Sequence, residues 1–362
     1  MKFLGGIDSG TPAQRLIFGI LGAALVLGVW MLFTTGANPV FPSTIPSPVK
    51  VFYAFGDLCR DNELFKNLGF SLGLNLSGYL EAIVFTIPLG FIIGLFKYTR
   101  WGFQKQVDAF RYVPLTALTG VFIVLFGIGA PSKIHFLALG ILIYLLPVMV
   151  QRIDEVSDVY LKTVHTLGAT DWQTIRTVYF PSVLSRLSDD IRVLTAISWT
   201  YIIVAETLAS QGGIGALIWM AGFRQGRFDK VFALLAIIMV IGVIQDRVFQ
   251  WLDRQFFPFK YQAREAVKAS SLQQKTFFDA VSEFALSALG WILVGLYFIL
   301  MINEYIPFLG QLKPLSYLFG ETLWVINLMF ICFMVLQGWN WYKRRSDAMA
   351  LKGITSKLQV KG

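Results

Sequence analysis

Long uninterrupted apolar runs dominate this sequence and constrain it most. Eight are visible: Leu16–Thr34, Ser71–Phe96, Tyr112–Gly129, Ile134–Val150, Ile191–Ala209, Val231–Phe249, Phe284–Ile302 and Thr322–Asn340. Each is close to the roughly 20 residues that a helix needs to cross a bilayer. With 362 residues, 56% apolar and 15% charged, and a mean hydropathy of +0.62, the chain carries more apolar surface than a soluble protein of this size can hide. Composition excludes a disordered chain, a disulfide scaffold and an ordinary cytosolic enzyme. The expected fold is an all-α membrane protein of about eight transmembrane helices. Lys2 and Arg15 before the first run resemble a signal peptide, but Gly36-Ala37-Asn38-Pro39 offers no good cleavage site, so an uncleaved helix is expected.

The net charge of +9 points to the membrane's positive-inside bias rather than to nucleic acid. With eight spans and an inside N-terminus, 23 of the 31 Lys and Arg fall on inside segments. Both termini, the segment 151–190 and the linker near Arg264 are therefore expected in the cytoplasm. Cys59 and Cys332 form no metal or redox spacing, and His135 and His165 stand far apart, so no metal and no cofactor is expected.

The most informative polar stretch follows the fourth run. Val156, Val159, Tyr160, Val164 and Leu167 fall on one face of a short helix. Gly168 stands where that helix must end in a left-handed turn. Thr170-Asp171-Trp172-Gln173 reads as a capping box that opens a second helix, expected to stop before Pro181. Pattern alone leaves two readings open: a helix–turn–helix built for a partner, or a re-entry loop lying on lipid.

The spacing resembles the coupling loop of ATP-binding-cassette (ABC) importer permeases. There a Glu-Ala-Ala is followed by three residues, Gly, nine residues and Ile-x-Leu-Pro. Here Gly168 is followed by nine residues and Val178-Tyr179-Phe180-Pro181, while Lys162-Thr163-Val164 departs from Glu-Ala-Ala. Pro46-Ser47-Pro48, Phe126-Gly127-Ile128-Gly129 with Ser132-Lys133-Ile134, Ala205-Glu206 and Gly212-Gly213-Ile214-Gly215 resemble the nitrate/sulfonate/taurine/bicarbonate branch.

The resemblance implies a type I importer permease core of six spans over 1–259, a linker at 260–280 and an accessory two-helix extension at 281–362. It implies an inner-membrane subunit that forms the path for a small anionic solute. Its partners would be separate ABC ATPase subunits that bind the ATP, a second permease copy and an extracytoplasmic solute-binding protein. No ATPase loop is present in this chain, which is not expected to be an enzyme. Val159, Val164, Gly168, Ala169, Asp171 and Pro181 would form the ATPase-coupling loop. Glu206, Glu81, Gly213 and Gly215 are pathway or gate candidates, Glu81 having no evident partner. Trp199, Tyr201 and Trp219 form an aromatic stripe, and Asp246-Arg247 reads as an interfacial pair. Two rivals remain: a secondary transporter using Glu81 and Glu206 as ion sites, and an intramembrane enzyme, for which no catalytic cluster is visible.

Overall fold

The computed structural model describes residues 12–35, 44–208, 212–261, 277–307 and 312–359, so the linker near Arg264 lies outside the described residues. All regular structure among them is helical. Six helices are long and apolar enough to cross a membrane, and a bent pair makes a seventh candidate.

α1 (Pro12–Thr34) lies against the rest mainly through Trp30, whose Nε1 donates to the Pro46 carbonyl at 3.1 Å and whose ring sits 5.7 Å from Phe232. α2 (Pro48–Asp61) is amphipathic: Ser47 caps it and Pro48 fills the first turn, where no backbone N–H is needed. α3 (Leu64–Leu95) and α6 (Ala130–Asp154) form the central pair. A Cβ on Gly78 would lie 2.7 Å from Leu137 Cδ2, one on Gly90 2.7 Å from Met149 Cγ and one on Gly94 2.5 Å from Ile153 Cδ1. The offset between partners is constant, so the two helices run parallel, and small residues bring their backbones together as membrane packing favours.

The expected span Tyr112–Gly129 is instead a broken element. α4 (Lys97–Phe110) and α5 (Leu115–Phe126) meet at a bend of 103°. Pro114 caps α5 and cannot continue the helix before it. Beyond α6 come α7 (Asp158–Thr166), α8 (Asp171–Thr174) with a π-helical turn at Ile175–Tyr179, and α9 (Phe180–Leu208). α9, at 29 residues, is about 43 Å long and covers the expected fifth span. α10 (Ile214–Leu217) and a π-helical stretch lead to α11 (Phe228–Phe256).

The extension consists of α12 (Phe277–Tyr305), α13 (Pro314–Phe319) and α14 (Leu323–Gln359). It grips the core at two levels. A Cβ on Gly290 would lie 2.7 Å from the Trp251 ring, which also packs against Trp291 and Phe333. At the other end α13 covers the start of α3, where a Cβ on Gly69 would lie 2.6 Å from the Leu318 carbonyl.

Candidate functional site: a surface turn joined by one helix to a buried latch

At one end of α9 stands the turn singled out in the sequence. Ser157 caps α7. Gly168 has φ +76° with no atom within 4 Å of where a Cβ would sit. The reason for glycine is therefore conformational rather than steric. Thr170 Oγ accepts from Gln173 N–H at 3.3 Å and Gln173 Oε1 accepts from Thr170 N–H at 2.8 Å, completing the expected capping box. Asp171 occupies the first turn of α8, where an acid complements the exposed N–H groups.

Along the predicted face Val156 is buried and Val164 half-buried, while Val159, Tyr160 and Leu167 are exposed, together with Trp172. One local expectation changes: Pro181 does not stop a helix. It lies in the first turn of α9, which tolerates a missing N–H, and the π-helical turn before it keeps the chain helical from Asp171 into the span. Between α7 and the start of α9 runs a groove of about 500 Å³ lined by Val164, Pro181 and Phe259 among others. The base of the turn is clamped by charge. Arg152 pairs with Asp190 at 2.8 Å and with Glu155 at 2.7 Å, and Arg186 donates to the Glu155 carbonyl at 3.0 Å. The Arg152 guanidinium holds the Glu155 carboxyl below the usual carboxylate range.

At the other end of α9 three of the four pathway candidates meet: Glu206, Gly213 and Gly215. Glu206 is fully buried. Its Oε1 accepts from Ser71 Oγ at 2.6 Å and its Oε2 from Gly215 N–H at 2.8 Å. Ser71 Oγ in turn accepts from Ile214 N–H at 2.8 Å, and Asn67 Oδ1 from Gly213 N–H at 2.8 Å. The Gly-rich segment is thus tied down by α3 and by α9 together. Gly213 has φ +102°, and a Cβ there would collide with the Glu206 carboxylate; one on Gly215 would lie 2.6 Å from the Ile203 carbonyl. Both glycines let the Glu206 carboxylate lie against the segment and accept from the Gly215 N–H. Lys133, only 1% exposed, places Nζ 5.4 Å from the centre of the Phe70 ring, without a hydrogen-bond partner among the described residues. Glu206 and Glu321 are the carboxylates that act on it electrostatically. The sequence had marked the segment containing Lys133 but not this role; a lysine beside an apolar run was the available signal.

Glu81 does have a partner. His135 Nδ1 lies 2.7 and 2.9 Å from its two carboxylate oxygens, so this histidine is not isolated. The aromatic stripe divides: Trp199 is buried and donates to Gln245 at 2.9 Å, Tyr201 stacks on Tyr144, and Trp219 is exposed. Asp246 pairs across helices with Arg192 at 2.5 Å rather than with Arg247.

One continuous helix thus carries an exposed apolar turn at one end and a buried polar cluster at the other. Residues 86–258 match the family model described as the binding-protein-dependent transport system inner membrane component. A protein named as an aliphatic sulfonates transport permease, SsuC of Bacillus subtilis (strain 168), is 28% identical over 245 residues, covering 67% of this chain and 87% of its own. The taurine transport system permease protein TauC of Escherichia coli (strain K12) is 26% identical over 254 residues, covering 68% and 92%. The nitrate import permease protein NrtB of Synechocystis sp. is 23% identical over 256 residues, covering 68% and 91%. On its helices, its turn and these relatives, the chain resembles the permease subunit of binding-protein-dependent ABC importers, in the nitrate, sulfonate and taurine branch.

Proposed function

We propose that the chain is the permease subunit of an ATP-driven importer and forms the translocation path for a small anionic solute of the nitrate, sulfonate, taurine or bicarbonate kind. Two copies work with two ABC ATPase subunits and an extracytoplasmic solute-binding protein in the cell inner membrane. Both termini and the Gly168 turn face the cytoplasm. The core comprises residues 1–259, and the helices at 281–362 are an accessory pair.

One observation carries this reading. Val159, Leu167 and Trp172 stand exposed on a capped, charge-clamped turn that continues without interruption into α9. Apolar side chains presented on a rigid polar frame fit a groove on another protein. Val159, Val164, Ala169 and Asp171 are the contact positions, and Gly168 and Pro181 set the path of the chain between them. Closure of the ATPases would move α9 as a rigid unit and act on the Glu206 latch at its other end. Glu81, Glu206, Gly213 and Gly215 border or gate the path, and the ATP stays with the partner.

Mass spectrometry of the complex purified in mild detergent tests this. The expected result is two permease copies with two ATPase chains, and ATP-dependent uptake after reconstitution. Uptake driven by an ion gradient, with no ATPase present, would replace the proposal with the secondary transporter that uses Glu81 and Glu206.

A further inference from the structure

We propose that the break between α4 and α5 forms an oxyanion station on the solute path, with Arg111 as the group that meets the solute's acid oxygens. The inference rests on the importer reading above and deepens it.

A cavity of about 380 Å³ lies between α4 and α6. Gln104, Asp108 and Arg111 line it from α4, and Tyr144, Pro147 and Gln151 from α6. Tyr144 and Pro147 stand near the middle of α6, a helix long and apolar enough to cross the membrane. The non-helical segment Arg111–Pro114 and a pair of charges therefore lie at membrane depth. The Arg111 and Asp108 side chains are 46% and 42% exposed. Hydrocarbon cannot satisfy irregular backbone or half-exposed charges, which are tolerated where they border protein or water. Interrupted spans of this kind build solute sites in membrane transporters.

The site is preorganised for acid oxygens. Arg111 Nε donates to the Asp108 carbonyl at 3.0 Å and Nη2 to Asp108 Oδ1 at 2.9 Å. Those bonds fix the guanidinium and leave Nη1 without a partner among the described residues. Gln104 Oε1 accepts from Arg100 Nε at 3.1 Å, which leaves its amide N–H groups free to donate. Asp154, at the rim, is held by Arg100 through both oxygens. A guanidinium edge with an amide suits a sulfonate, nitrate or carboxylate oxygen. Asp108 offsets much of the Arg111 charge, so an anion is held loosely. A path needs a group that attracts the solute and still releases it.

The test uses the full chain in inside-out membrane vesicles, with Cys59 and Cys332 replaced by serine and Val148→Cys introduced in the cavity wall. An impermeant thiol reagent should label Val148→Cys. Taurine or nitrate should slow the labelling, and choline should not. Adding Arg111→Gln should preserve labelling but require about tenfold more taurine or nitrate for the same protection, with Arg111→Lys in between. Absence of labelling would mean that the wall is sealed against lipid or a second copy, and would overturn the proposal. Equal protection by choline, or protection unchanged in Arg111→Gln, would also overturn it. No ATPase is needed, so failure here is distinct from failure to find ATPase in the complex.

Discussion

At the turn beside α9 backbone conformation alone calls for glycine, whereas at its other end lack of space does so too. Around Gly168 there is empty space, and only the positive φ calls for glycine. Around Gly213 and Gly215 there is no space at all: the Glu206 side chain and the Ile203 carbonyl fill the place of a Cβ. The polar groups differ likewise. At the latch, the hydrogen bonds among Glu206, Ser71 and the Gly-rich segment close within the chain. At the turn, apolar side chains face outward. The difference separates an end finished by the chain itself from an end that, in the function proposed above, another protein completes. It also separates what a substitution at each end should damage.

The latch should give the largest effect. Glu206→Ala leaves the Ser71 hydroxyl and the Gly215 N–H buried without their acceptor, and each such unsatisfied group costs about 1–3 kcal/mol. The expected outcome is a clear fall in thermal stability in detergent and poor membrane yield; an unchanged melting profile would place the two ends on equal terms. Gly168→Val should cost less, roughly 1–3 kcal/mol confined to the turn. Insertion and yield should stay near normal while ATPase co-purification and ATP-driven uptake are lost. Uptake at the parental rate, measured at matched permease level, would reduce the turn to a surface loop. Truncation after Phe259 should leave ATPase binding intact, because the extension packs on α3 at Gly69 and on Trp251 of α11; loss of binding with insertion preserved would make those helices part of the transport core. Asp171→Lys is the mildest: it reverses a charge at the start of α8, worth about 0.3–1 kcal/mol, and a partial drop in uptake is expected.

Much of this was legible in the residues. Apolar runs and their flanking charges located the helices, because lipid requires every backbone group of a span to be satisfied internally. The turn was legible because caps are local: Gly168, Thr170 and Gln173 act within a few positions of one another. The break at Arg111–Pro114 was legible only in part: Pro114 marks a bent end to the third run, but hydropathy sums over a window and carries no direction. The Glu81–His135 contact was not legible, because it joins positions 54 apart in sequence through the packing of α3 on α6. Pro181 misled for a definite reason: the same residue ends one helix or opens the next, and the π-helical turn that decides between them leaves no plain mark in composition.

The constant offset between α3 and α6 also limits how the machine can move. Leu137, Met149 and Ile153 sit like teeth in the notches left by Gly78, Gly90 and Gly94. A small slip would drive all three teeth into the walls at once. The next matching position lies a full helical turn away, about 5.4 Å, where one tooth would again find Gly90 or Gly94 but the other two would meet Leu74 and Thr86, or Ala82 and Tyr98. The pair is therefore geared rather than sliding: access can alternate by swinging the pair as one beam. A cross-link between the two helices should leave transport running, whereas one between α9 and α3 should stall it.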